Sequence, residues 1–157
     1  MPRWLTYLLI VIVIALVGAA VAAPIGPMPG IRIGGTSAAA PETWANVNLP
    51  EEVRLAAYDG PIPYVVTIWI VESGDRLHVI GAPESTWVEK ATRSPDVRLR
   101  IDDSVYDMRA SRMPPGREDI FQAYIDRYRD GYPDIVGSFP PVAEFAQGGA
   151  LFELTPR

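Results

Sequence analysis

A chain of 157 residues with 48% hydrophobic content can bury one real core and is too short for two ordinary domains. Its net charge of −5 becomes −6 without residues 1–23, which hold a single arginine, so an acidic body with no basic patch argues against nucleic acid as a partner. The absence of cysteine excludes disulfides, thiolate metal sites and a cysteine nucleophile.

The first element is Trp4 to Ala23, WLTYLLIVIVIALVGAAVAA, 20 residues without a charge. At the helical rise it reaches about 30 Å, the thickness of bilayer hydrocarbon, so residues 1–23 read as a transmembrane anchor. The rival is a cleavable signal peptide, for which Ala20, Val21 and Ala22 supply a small-residue cutting pattern, and the product would then be secreted or periplasmic. Arg3 and the amino terminus favour the cytoplasmic side. The expected arrangement is a single-pass protein of the cell membrane with its C-terminal body outside the cytoplasm.

Residues 24–50 carry Pro24, Pro27, Pro29, Pro41 and Pro50 together with the run GGTSAAA, and read as a linker with no core of its own. Trp44 is the one residue there suited to docking on the body or at the membrane interface.

The body, residues 51–157, begins with Val53, Leu55 and Ala57 in strand alternation. The Asp59-Gly60 turn follows, and Tyr64 to Val71, YVVTIWIV, is a run of β-branched and aromatic residues, which completes a hairpin. A third strand spans Arg76 to Ile80. Thr86 to Glu89 has the spacing of a capping box, so a helix is expected from Thr86 to about Arg93, where Ser94-Pro95 stops it. Asp96 to Ile101 is the fourth strand, Asp102-Asp103-Ser104 the turn, and Val105 to Met113 the fifth. Pro114-Pro115-Gly116 opens a second helix with Ile120, Phe121, Tyr124, Ile125 and Tyr128 on one stripe, fitted to cap a barrel face. Asp130-Gly131 ends it, a proline-rich loop runs through Pro141, and Ala150 to Leu154 is the closing strand.

This order of elements, with Trp87 at the helix start, the segment Ala123, Tyr124, Arg127, Tyr128 and the ending Leu154, Pro156, Arg157, resembles the split β-barrel superfamily of pyridoxamine-phosphate oxidases and deazaflavin-dependent nitroreductases, and within it an uncharacterised bacterial subfamily. The resemblance implies an α+β fold, a six-stranded split β-barrel (FMN-binding-like) with two short helices after the N-terminal transmembrane helix. It further implies a homodimer whose groove holds FMN or a deazaflavin. Carried onto this chain, Ser85 and Thr86 would offer hydroxyl and amide donors to the cofactor phosphate, Lys90 a point charge and Trp87 a stacking surface. Trp69, Trp87 and the Tyr106/Met108 face would contribute to the dimer. Where the deazaflavin reductases carry a basic, glycine-containing segment before the second strand, this chain has Tyr58 to Pro63 with an acid, Asp59, and Glu84 and Glu89 flank the cradle.

The plainer readings of these residues are a helix cap for Ser85 and Thr86, a solvated lysine at Lys90 and core aromatics at Trp69 and Trp87. His78 has no partner cysteine or HExxH spacing and makes a poor metal site, although the resemblance also brings an axial haem role to mind. Arg98 and Arg100 share one side of a strand and are placed to meet acids such as Asp107. Two functions from different classes follow. One is a flavin- or deazaflavin-dependent oxidoreductase of nitro- or quinone-reductase type, the cofactor performing the electron transfer; the other is a cofactor-free binding or scaffold domain tethered to the membrane.

Overall fold

The computed structural model describes residues 3–22, 24, 26, 28–45 and 47–157, with side chains on the first helix described from Trp4 to Gly18. Ala23 and Pro27, placed above in the anchor and the linker, lie outside the described residues, as do the side chains of the Ala20 to Ala22 cutting pattern. Helix α1 (Arg3–Ala22) is apolar all round, with Trp4, Tyr7, Leu9 and Ile14 fully presented to the surroundings. Among the described residues no helix is long and apolar enough to cross a membrane.

The body is one curled sheet. Strands β2 (Glu52–Ala57), β3 (Tyr64–Trp69), β4 (Val71–Ser73), β5 (Arg76–Gly81), β6 (Asp96–Ile101), β7 (Ser104–Arg112) and β8 (Ala150–Pro156) run in the order β3-β2-β6-β7-β8-β5-β4, and every neighbouring pair is antiparallel. A two-residue strand, β1 (Thr36–Ser37), pairs in parallel with β7. The expected half-barrel is therefore present, with eight strands where six were expected. The predicted run Tyr64 to Val71 is broken at Ile70 into β3 and β4, which lie at opposite ends of the strand order, and β1 comes from the proline-rich stretch.

Alternation divides each strand between two clusters. Leu55, Leu77, Val79, Val97, Leu99, Met108, Phe152 and Leu154 point into the barrel, where helix α2 (Thr86–Arg93) closes one end with Trp87, Val88 and Ala91. On the other face, Val71, Ile80 and Leu151 lie under helix α3 (Glu118–Tyr128), whose stripe of Ile120, Phe121, Tyr124 and Tyr128 is buried as its spacing predicts. Strand β5 is thus covered on both sides, so His78 is buried although it falls on the polar side of the alternation.

Two short helices, α4 (Pro133–Gly137) and α5 (Val142–Gly148), occupy the stretch read as a proline-rich loop. Proline starts both: Pro133 is at the first helical turn and Pro141 is the N-cap residue, positions where a missing N–H costs nothing. The linker also folds onto the body. Trp44 and Leu49 join the barrel core, Trp44 meeting Tyr106 edge-on at 5.4 Å, and Ile33 packs with Ala56, Val65 and Val105.

The break at Ile70 is held by one side chain. Ile70 N–H donates to the Tyr128 hydroxyl at 2.9 Å, and that hydroxyl lies 2.8 Å from the Ile70 carbonyl and 2.6 Å from the Glu51 carbonyl, between which its single proton is shared. The Tyr128 ring stacks on Trp69 at 4.2 Å and 10°, and Arg127 donates to the carbonyls of Leu49 and Pro50. Helix α3 is thereby fastened to the β3–β4 corner and to the proline-rich segment together.

Tyr128→Phe keeps the ring and removes the hydroxyl, leaving the buried Ile70 amide without its partner; the expected loss of stability is about 1–3 kcal/mol, read by denaturant or thermal unfolding. His78 gives a pH signature. Burial holds its imidazole below the usual 6.5, with Glu153 opposing and the Arg117 charge adding to the depression. The unfolded chain therefore binds a proton that the folded chain refuses, so stability is level above pH 6.5 and falls as pH drops below it toward the lowered folded value. Unfolding midpoints measured across that window should show this slope in the wild type and lack its His78 part in His78→Leu.

Candidate functional site

Helix α2 places the four residues that the sequence singled out. Ser85, not Thr86, is the N-cap residue, and its side chain does not cap: the hydroxyl turns back to donate to the Ala82 carbonyl at 2.8 Å. The capping box expected from Thr86 to Glu89 does not form, because Thr86 is already the first helical residue and Glu89 lies on the helix flank, 3.8 Å from Arg93. Trp87 is buried in the barrel, tilted on Phe152 at 5.6 Å, and offers no open ring face. Its fit is tight enough that a side chain at Gly81 would collide with the indole.

Lys90 turns to Asp59, 4.0 Å away, and the same carboxylate receives Arg93 at 2.9 Å. The acid in the turn before β3 thus draws toward itself the one lysine of the chain. Only Ser85 and Thr86 stay near the helix start, and Glu84 is the charged residue beside them. The donor set that a flavin phosphate needs, hydroxyls plus an unpaired cation beside free amides, is not assembled here.

His78 is 3% exposed, its Nδ1 has no hydrogen-bond partner, its Nε2 stands 3.8 Å from Glu153, and no cluster of three metal-ligating side chains exists among the described residues. Arg98 meets Asp107 at 2.9 Å as its side of β6 implies, while Arg100 holds the Ile33 carbonyl at 2.9 Å. The residues expected at a dimer face also have contacts within the chain: Trp69 stacks on Tyr128, Trp87 and Met108 lie in the barrel, and Tyr106 meets Trp44.

What the structure does bring together is a cavity of about 460 Å³ beside the loop that links β5 to α2. Ile80, Gly81 and Pro83 form one wall, Tyr124 of α3 the floor, and Phe139 and Phe145 the far side, with Glu84 and Glu144 at the rim. Phe139 and Phe145 approach to 4.9 Å, and Phe145 meets Phe121 edge-on at 4.7 Å. Burial pushes the Tyr124 phenol well above its usual range, so it stays protonated. Sequence reading missed this site because half of it comes from α5 and the turn before it. The one local signal was Pro141, a residue suited to a helix start, just ahead of Val142.

No protein-family model matches the chain, and no curated protein matches its sequence. Solved structures do. A Listeria innocua protein described as a pyridoxamine 5′-phosphate oxidase aligns at a TM-score of 0.50 and 16% identity over 69% of this chain and 85% of that one. The haem storage protein HutZ of Vibrio cholerae aligns at 0.52 and 17% identity over 68% and 82%. An F420 reductase aligns at 0.50 and 14% identity over 75% and 95%. The curled antiparallel sheet and these likenesses together establish that the chain has the split β-barrel fold common to pyridoxamine-phosphate-oxidase-like and deazaflavin-reductase-like proteins.

Proposed function

We propose that this protein is a membrane-tethered split-barrel domain that binds a small ligand in its barrel-side cavity without a flavin phosphate. The observation that carries the reading is the fate of Lys90. A cation facing Asp59 at 4.0 Å, with Ser85 turned to Ala82 and Trp87 buried, leaves the helix start without the charge and the ring surface that the cofactor would use. An acidic rim supports the same conclusion, since Glu84 and Glu144 repel a phosphate. Tethering is supported by helix α1, uncharged after Arg3, and its exposed apolar side chains, with the body outside the cytoplasm as the charge asymmetry favours. A homodimer is carried into the proposal from the fold resemblance alone, and sedimentation of the detergent-solubilised chain measures it.

A second reading, a flavin- or deazaflavin-dependent oxidoreductase, is favoured by the alignment over 95% of a chain described as an F420 reductase. Fold is shared more widely than chemistry, so the site has to decide.

Calorimetric titration of the full chain in detergent with FMN, with a deazaflavin and with riboflavin as a phosphate-free control separates the two readings. No heat is expected with any of them, and Lys90→Ala should shift stability by less than about 0.5 kcal/mol. Saturable binding of FMN or deazaflavin that Lys90→Ala weakens by about 1.5–3 kcal/mol, the worth of a charge-assisted hydrogen bond, would establish the second reading instead. For the tether, the full-length product should remain in the membrane pellet through high salt and alkaline carbonate. A released product beginning near Ala23 would show a cleaved signal peptide.

A further inference from the structure

The cavity beside the β5–α2 loop has a chemical bias that its volume alone does not express. Its rim carries two carboxylates, Glu84 and Glu144, both exposed, and neither makes an ion pair among the described residues. No lysine, arginine or histidine lines it. The walls are aromatic and aliphatic, with Phe139 and Phe145 half-buried. At the floor, Tyr124 is 7% exposed and makes no side-chain hydrogen bond to the described residues, and its hydroxyl is reachable from outside rather than sealed.

That last feature is the second, independent sign of a ligand. A side chain this buried ordinarily has its polar atom paired within the protein, and a hydroxyl left open at a cavity is satisfied by what enters the cavity. The neighbouring Tyr128 shows the contrast, with its hydroxyl bonded to the backbone at Ile70 and Glu51. An oxygen that accepts, aromatic faces that attract cations and carboxylates at the entrance all favour the same guest. An anion meets two like charges, and a neutral guest leaves the rim unused.

We propose that the cavity binds a small hydrophobic organic ammonium ion, its apolar body between Ile80, Phe139 and Phe145 and its cationic group among Glu84, Glu144 and the Tyr124 hydroxyl. The inference rests on the binding reading above and names its ligand class.

The test uses the full chain in detergent and three probes of one shape: 2-phenylethylammonium, neutral 2-phenylethanol and anionic phenylacetate, followed by calorimetry or ligand-observed NMR. The ammonium probe should bind measurably, the alcohol several-fold more weakly and the acid not at all. Glu84→Gln combined with Glu144→Gln should weaken the ammonium probe by roughly two- to tenfold and leave the alcohol unchanged, the range set by partly exposed charges. Gly148→Phe is the blocking variant. Gly148 lines the cavity with nothing within 4 Å of an added Cβ, so the ring enters open space, and unfolding midpoints verify that the fold is kept. Binding should be lost in it.

Equal binding of all three probes, preference for the acid, ammonium binding that survives Gly148→Phe, or no binding to the folded chain would each overturn the proposal. The flavin titration is read separately. Flavin binding overturns the cofactor-free reading whatever the probes do, and probe failure with no flavin bound overturns only the ligand class.

Discussion

A sheet that curls far enough to bring its own ends together must bend the chain somewhere, and in this protein the bend is Ile70. Strands β3 and β4 are one continuous segment, yet they pair at opposite ends of the strand order, so the residue between them loses its ladder partners inside a wholly buried setting. A buried amide without a partner is costly. The Tyr128 hydroxyl meets that need, accepting from the Ile70 N–H and reaching the carbonyls of Ile70 and Glu51. Since Tyr128 is the last residue of α3, this one group also fixes where α3 lies on the sheet, and with it Tyr124, one turn earlier, at the cavity floor.

The second constraint is the two-sided burial of β5. Its odd residues, Leu77 and Val79, fill the barrel, and its even ones, His78 and Ile80, face α3. A strand buried on both sides is normally apolar throughout. His78 departs from this, and its neutral form, held by burial, is what makes the position tolerable. Ile80 at the end of the same strand becomes a wall of the cavity, so the site is built where the sheet, α3 and the short helix α5 meet.

Charge placement sets the surroundings of α2. Asp59 stands in the turn before β3, where a base would serve a phosphate, and it gathers Lys90 and Arg93 from α2. The helix start is then bordered by Glu84, and the cavity by Glu84 and Glu144. Trp87 and Phe152 meet at 5.6 Å in the barrel interior.

The sequence by itself determined most strands of the body, the stripe of α3, the turn at Asp102, which has a positive φ, and the apolar N-terminal helix. These are local patterns: which face of an element is apolar depends on neighbours two to four positions away, and that periodicity is written in the chain. The partner of a polar group is not. Lys90 could be read as a phosphate ligand until Asp59 was found beside it, and Tyr128 as one more packing aromatic until its hydroxyl was found at Ile70, 58 positions distant. Likewise Thr86 matched a capping box in spacing, but the chain entered the helix one residue earlier and turned Ser85 toward Ala82. Helix α5 is too short for periodicity to announce, so the cavity it completes existed only after folding brought Phe139 and Phe145 against Tyr124. Periodicity fixes what is buried, whereas long-range packing decides which polar groups remain free to meet a ligand.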